Sequence, residues 1–488
     1  MISLPNTPRQ ALIGESFVNA ASGETLTTLN PATGETLTAV AACGAADVDA
    51  AVAAARSVFE AGTWSRLAPA ERKRVLLRYA DLLEEHADEI IALDCLEAGK
   101  PISDTRDGDV PEAISTFRWC AELIDKLYDR VAPTAPDILG LIVREPIGVV
   151  AAVLPWNFPA LMFAWKVAPA LASGSSIVVK PAEQTSLSAL LMGQLALEAG
   201  VPAGVLNVLP GYGESAGAAL GRHPGIDVVS FTGSTEVGRL FLQYAAQSNL
   251  KRVVLECGGK SPQLVLADAP ELDVMVDDIL AAGFWNMGEN CSSGSRLIVH
   301  RSRHEELVER LVSSLADWKV GDPLDDATRI GPMIDANHFA KVMGFIEAGT
   351  KEGAQLRTGG GRALEGSGGY FVAPTIFDGV DNNMTIAREE IFGPVLSTIV
   401  FDDEADGIRL ANETNYGLAA SVWTQNVDSA IRVSRAIRAG TVSVNCFSEG
   451  DVTTPFGGYK QSGFGGRDNG VEALDQYTEL KTIWIQTR

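Results

Sequence analysis

Val149-Val150-Ala151-Ala152-Val153-Leu154-Pro155-Trp156-Asn157-Phe158-Pro159 holds the chain's organisation in one line. A β-branched, apolar run stops at a proline-bracketed turn and passes into the apolar segment Leu161–Ala172. Similar short runs stand at Leu141–Val143, Ser176–Lys180, Val205–Leu209 and Val228–Thr232, and helix-like segments Leu187–Ala199 and Val237–Ala246 separate them. Strands and helices alternating at that spacing imply a parallel sheet with crossover helices, hence an α/β fold. A second alternation follows. Gln263–Leu266, Leu297–His300, Val395–Phe401 and Thr441–Asn445 read as strands, and Glu305–Trp318 and Phe339–Glu352 as helices. A hinge between the two units is expected near Gly258-Gly259. Upstream, 47–93 reads as Ala-rich helix. Gly359–Gly361 and Glu365–Gly369 read as surface loop. Two pieces fit neither unit: Lys126–Val143, with Pro133 and Pro136 before a strand, and the apolar Thr478–Thr487. An exposed apolar terminal strand invites pairing with another subunit.

With 488 residues the chain is too long for one ordinary core and is expected to form two or three domains. The 48 glycines suit an α/β protein with many tight turns. The net charge of −23 argues against nucleic acid as partner, because phosphate neutralisation needs clustered Lys and Arg. That acidity reads either as solubility or as attraction of cationic substrates. Lys166 and Pro169 interrupt the longest apolar run, well short of the ~18–20 residues of a membrane span, so no membrane role is expected. The N-terminus lacks a basic-then-apolar export pattern. The six cysteines show no CxxC spacing, and with five histidines no zinc-type cluster is expected. Reduced thiols and a cytoplasmic location follow.

Chemistry concentrates in three places. Cys291 lies where an apolar, helix-like run ends in Gly288-Glu289-Asn290-Cys291-Ser292-Ser293-Gly294. Glu256 precedes Cys257-Gly258-Gly259-Lys260, and Asn157 sits before Pro159. Alone, each reads as an ordinary buried thiol, strand-end acid or turn amide. Together, a thiol nucleophile, a carboxylate base and an amide donor are the parts that acyl chemistry at an aldehyde requires. Gly211-Tyr212-Gly213-Glu214-Ser215-Ala216-Gly217 nearly fits a dinucleotide fingerprint, but its last Gly is one position late, and it reads as a plain βα turn.

Seven segments, in order, carry a resemblance to the aldehyde dehydrogenase superfamily: Leu154–Pro159, Val179–Thr185, Phe231–Ser234, Glu256–Lys260, Asn290–Arg296, Glu389–Val395 and Pro455–Gly463. The stretch Glu449-Gly450-Asp451 before Pro455-Phe456-Gly457-Gly458-Tyr459-Lys460 is most similar to the branch acting on ω-amino and γ-glutamylamino aldehydes. The resemblance implies a Rossmann-type cofactor domain (1–124 and 147–258), an α/β catalytic domain (259–469), and a small β oligomerisation flap (125–146 and 470–488) that makes a homodimer or homotetramer. It implies Cys291 as nucleophile, Glu256 as general base, Asn157 as oxyanion donor and Lys166 in proton relay. The relay partner is an open question, because Gly466-Arg467-Asp468 departs from the family's Glu after Arg. Trp156, Lys180, Glu183, Gly233, Ser234, Glu390 and Phe392 fall at cofactor positions. Glu183 favours NAD over NADP, since a carboxylate there binds ribose hydroxyls and repels a 2′-phosphate. Lys180 leaves NADP as the less favoured acceptor.

Phe158, Met162, Trp165, Trp285 and Phe456 are expected to line the aldehyde tunnel, with the carboxylates of Glu449 and Asp451, and of Asp107 and Asp109, near its mouth. Aromatic walls with acidic groups would suit an ω-ammonium or guanidinium substrate. The implied reaction is NAD-dependent oxidation of an amino, γ-glutamylamino or guanidino aldehyde to its carboxylate. Retention of Glu256 argues against transfer of the acyl group to CoA. A general aliphatic or betaine aldehyde dehydrogenase, a cofactor-free esterase and a non-catalytic protein of the same fold are the alternatives; the last should have lost the nucleophile or the base.

Overall fold

In the computed structural model, which describes residues 4–488, Val149–Val153 lies in the middle of an eight-stranded sheet. Its order is Gly463–Phe464, Arg252–Cys257, Val228–Gly233, Val149–Val153, Ser176–Lys180, Leu206–Val208, Ala11–Ile13 and Ser16–Val18. The five central strands are parallel, and both edges are closed by antiparallel pieces. Side chains of successive residues face opposite ways along a strand. Val150 and Ala152 thus enter one apolar core, while Val149, Ala151 and Val153 enter another. A strand buried on both faces needs an unbroken apolar run, which is why this stretch carries no polar residue.

A second sheet of seven strands has its own core. Its order is Gln355–Thr358, Thr375–Asp378, Val395–Phe401, Arg296–His300, Pro262–Val265, Ala419–Trp423 and Thr441–Val444, parallel except for the first strand. The chain passes from one sheet to the other through 258–261. A Cβ on Gly258 would fall 2.0 Å from Glu390 Oε2, and one on Gly259 2.3 Å from the Cys291 carbonyl oxygen. Only glycine allows the crossing strand to lie this close to both groups.

Leu141–Val143 is a strand, but it belongs to neither parallel sheet. It lies within Ile138–Pro146, which pairs antiparallel with Thr478–Gln486 and with Arg130–Ala132. Local patterning marks a strand without saying which sheet takes it. The outer strand leaves Leu480 and Trp484 each 60% exposed. The Ala-rich helical region 47–93 resolves into Ala45–Ala61, Pro69–Glu85 and Ala87–Ala98. Among the described residues, no helix is long and apolar enough to cross a membrane.

Candidate active site

A cavity of about 210 Å³ opens where the two sheets meet, and Cys291, Glu256 and Asn157 all line it. The helix Leu272–Phe284 stops just before the nucleophile. Asn286, Met287 and Gly288 then adopt left-handed backbone in succession, with φ of 50°, 58° and 70°. Asn tolerates that region, but Met does not do so freely, and strain of this kind persists only where packing enforces it. Met287 is fully buried. The turn is stitched to the Asn157 segment. Asn286 Nδ2 donates to Glu289 O at 2.9 Å and to Asn157 O at 3.3 Å, while Asn157 Nδ2 donates to the same Glu289 O at 2.9 Å. Among the described residues, the second amide N–H of Asn157 and the backbone N–H of Cys291 donate to no protein group. Two free donors beside one thiol form an oxyanion-binding arrangement.

Burial, and then the carboxylates of Glu449, Glu390 and Glu256, push the Cys291 thiol well above its ordinary range. The resting sulfur is therefore protonated near neutral pH, and attack requires a base. Glu256 is 3% exposed, and neither of its carboxylate oxygens has a hydrogen-bond partner. Burial, reinforced by Asp468, raises its pKa well above the carboxylate range, which suits a group that must take a proton. Behind it, Lys166 Nζ meets Asp468 Oδ2 at 2.5 Å with both side chains fully buried. Asp468 thus supplies the partner that the altered Gly466-Arg467-Asp468 segment left open. Lys166 itself does not line the cavity.

One end of the cavity is built from the first sheet's strand ends. Gly233 and Ser234 line it, and Ser234 caps the helix Thr235–Gln247 by accepting from Val237 N at 3.2 Å. Free N–H groups at such a helix start attract anions. Trp156 and Phe392 stand edge-on at 5.3 Å, and Glu390 Oε1 accepts from Gly259 N at 2.9 Å. Burial raises Glu390 to about 7. His338 and Lys341 join this wall, and nothing in their local sequence marked them. Lys180 and Glu183 lie outside the cavity. Lys180 Nζ holds the Gly211 carbonyl at 2.8 Å and Glu183 Oε2 at 3.3 Å, which ties the Gly211–Gly217 turn to the strand end.

The other end is apolar. Phe158, Met162, Trp165 and Phe456 line it, and the Trp165 and Phe456 rings meet tilted at 59° with centroids 5.2 Å apart. Trp285 does not reach the cavity; it backs Phe158 at 5.3 Å. Glu449 does line it: Oε1 accepts from Asn290 Nδ2 at 2.9 Å and from Ser292 Oγ, while Oε2 accepts no hydrogen bond from the described protein. Burial raises its pKa. Asp451 is a correction: its carboxylate is exposed and folds back on Thr453 N at 2.8 Å, satisfying its own turn. Asp107 is likewise exposed and paired with Arg106, and Asp109 is buried against Lys100. Sequence reasoning missed Glu112, which lies behind this wall without lining the cavity; burial and then Glu449 raise it to about 7.

The family model described as "Aldehyde dehydrogenase family" matches residues 17–483. The chain is 56% identical over 478 residues to an aminoacetaldehyde dehydrogenase of Pseudomonas aeruginosa, covering 98% of this chain and 96% of the relative. A γ-glutamyl-γ-aminobutyraldehyde dehydrogenase of Burkholderia cenocepacia superposes with a TM-score of 0.97 at 52% identity, over 99% of this chain and 98% of that one. AldA, the indole-3-acetaldehyde dehydrogenase of P. syringae solved with NAD+ and IAA, superposes with a TM-score of 0.97 at 51% identity, over 99% and 97% of the two chains. Across nearly its whole length, then, in sequence and in fold, the chain belongs to the aldehyde dehydrogenase family.

Proposed function

We propose that the enzyme oxidises aldehydes bearing an amino, γ-glutamylamino or guanidino group to their carboxylates, with NAD as hydride acceptor. One observation carries the substrate class: Glu449 lines the same cavity as Cys291, with one oxygen anchored on Asn290 and Ser292 and the other without a donor among the described residues. A cationic tail could pair with it. The P. aeruginosa and B. cenocepacia relatives, named for aminoaldehyde substrates, support this reading.

The residues present fit the cofactor. The helix start at Ser234 offers N–H groups for a pyrophosphate, Gly258 leaves the space a side chain would fill beside Glu390, and Trp156 and Phe392 form one aromatic wall against which a flat ring could lie. Lys180 and Glu183 would face the adenosine ribose. The P. syringae relative's complex with NAD+ supports the same assignment. When bound, NAD accepts the hydride from the substrate carbon.

The chain's own residues do the rest. Glu256 takes the thiol proton, and Cys291 sulfur bonds to the aldehyde carbon while the carbonyl electron pair moves onto oxygen. Asn157 Nδ2 and Cys291 N–H hold that oxygen. After oxidation the acyl group is a thioester on Cys291. Glu256, having passed the thiol proton outward through the Lys166–Asp468 pair, then removes a proton from water, whose oxygen attacks the thioester carbon. The C–S bond breaks, the sulfur leaves as thiolate, and the carboxylate is released. The Lys166–Asp468 pair lies behind Glu256 and would pass its proton outward.

In this reading 1–124 and 147–258 bind cofactor, 259–469 carry the nucleophile, and 125–146 with 470–488 join subunits into a homodimer or homotetramer. The exposed Trp484 and Leu480 support the last assignment. All six cysteines are unpaired, which supports a reducing compartment such as the cytoplasm. The aromatic wall of Phe158, Trp165 and Phe456 favours one competing reading, a general or betaine aldehyde dehydrogenase. NADH formation over aliphatic, betaine, amino, γ-glutamylamino and guanidino aldehydes decides between them. Cationic or capped aldehydes should lead in kcat/KM by about tenfold, equivalent to ~1.4 kcal/mol. Equal rates on plain aliphatic aldehydes would end the aminoaldehyde assignment.

A further inference from the structure

Lys100 follows Gly99, the left-handed cap of the helix Ala87–Ala98, and its side chain is fully buried. Its ammonium meets four groups. Asp109 Oδ2 lies at 2.5 Å, also buried. The backbone oxygen of Asn157 accepts from Nζ at 2.8 Å. The Phe158 ring centroid is 3.5 Å away, and that of Trp285 6.0 Å. Among the described residues, the only other donor to the Asn157 oxygen is Asn286 Nδ2, at a longer 3.3 Å, from the left-handed turn that leads to Cys291. One cation therefore fixes the peptide of the amide donor, the ring that walls the tunnel, and, through Asn157 and Glu289 O, the nucleophile's own loop.

We propose that Lys100 is a positioning residue for the reaction: balanced by Asp109, it holds the Asn157 peptide so that its side-chain amide points at the developing oxyanion, and it braces Phe158 against the substrate. It touches neither substrate nor cofactor in this role, as it is absent from the cavity wall. A buried ion pair is a weak source of net stability when compared with apolar replacement. Its value here is geometric. Ion pairing and cation–π contact act from three directions, and an oxyanion donor works only when aimed within a fraction of an ångström. The inference rests on the reading of Asn157 as the oxyanion donor.

The test is single-turnover NADH formation with NAD saturating and enzyme in excess over an aliphatic aldehyde. Three variants are compared with the parent: Lys100→Met, Lys100→Met with Asp109→Asn, and Asn157→Ala. The double variant removes both charges together and so avoids leaving a buried carboxylate unpaired. The single-turnover rate constant should fall on the order of 10- to 100-fold in both Lys100 variants, and on the order of 10²-fold or more in Asn157→Ala. NAD affinity and the thermal midpoint of the double variant should stay close to the parent's. A merely structural role would lower the fraction of active sites and leave the rate constant unchanged. That outcome, with Asn157→Ala still slow, overturns the positioning role alone. If Asn157→Ala also reacts at the parental rate, the oxyanion assignment falls with it.

Discussion

Replacing Glu449 with glutamine separates the two jobs this carboxylate can do. Its Oε1 holds Asn290 Nδ2 and Ser292 Oγ, the residues on either side of Cys291, and its Oε2 has no donor among the described residues, in a side chain that lines the cavity. Glutamine keeps an oxygen for the first job and removes the charge needed for the second. A hydrogen bond to a charged group contributes about 1.5–3 kcal/mol, so a substrate ammonium that relies on Glu449 should lose roughly 10- to 150-fold in kcat/KM. Glu112, whose pKa burial and then Glu449 raise to about 7, lies outside the cavity lining and leaves Glu449 as the carboxylate that meets the cation. An aliphatic aldehyde of equal length should change by less than about threefold, within the range of a neutral surface-type substitution. The assay is initial-rate NADH formation on the matched pair, for the parent and for Glu449→Gln. A loss shared equally by both aldehydes would refute the reasoning, because it would show that Glu449 serves only the loop around Cys291. Glu449→Ala supplies the contrast: losing the anchor on Asn290 and Ser292 should slow both substrates.

Glu256→Gln should slow both the first NADH formed per active site and steady turnover, because the same carboxylate takes the Cys291 proton and then activates water; steady turnover at the parental rate would exclude that role. Glu390, held near 7 by burial against the pull of the Gly259 N–H, Lys341 and Lys260, is ionised above that pH and neutral below it. Charge-assisted hydrogen bonds are about twice as strong as neutral ones, so NAD affinity should weaken severalfold from pH 8 to pH 6, and Glu390→Gln should flatten the titration followed by protein fluorescence. Asp468→Ala leaves the Lys166 ammonium buried without its partner and should cost about 3–5 kcal/mol in urea unfolding, whereas Lys166→Met with Asp468→Leu should cost much less.

How much of this could be read from the chain differs by the range of the interaction. Strands such as Val149–Val153, Ser176–Lys180 and Val395–Phe401 were legible because being buried on both faces imposes a continuous apolar run. Thr375–Asp378 and Ala419–Trp423 were missed: they are short, and Thr375, Asp378 and Ser421 interrupt the pattern with polar groups that the structure satisfies or buries. Leu141–Val143 was found as a strand; local patterning grouped it with the first alternation, while its place in the 125–146 and 470–488 flap came only from the resemblance, since pairing with Thr478–Gln486 depends on a partner more than 300 residues away.

The site divides along the same line. Cys291, Glu256 and Asn157 carry their context in adjacent residues: a turn, a diglycine, a flanking proline. The groups that tune them do not. Lys100 looks like any lysine after a helix-ending glycine, yet it is the buried cation that holds the Asn157 peptide. Glu112 reads as an acid in the first turn of the helix Val110–Leu123, and only the approach of the Glu449 loop makes it part of a carboxylate pair. The segment at Asp468 shows why residue type alone misleads. Counting along Gly466-Arg467-Asp468 left the partner of Lys166 open, because what sets an ion pair is where the backbone delivers the carboxylate. Phe456 and Asp468 exchange backbone hydrogen bonds at 2.7 and 2.8 Å, which pins residue 468 beside the catalytic floor. From there the shorter aspartate reaches Lys166 Nζ, and the same anchoring places its charge close enough to Glu256 to raise the base. A lengthened side chain at 468 would therefore be expected to push the lysine away or to crowd Glu256 rather than strengthen the relay.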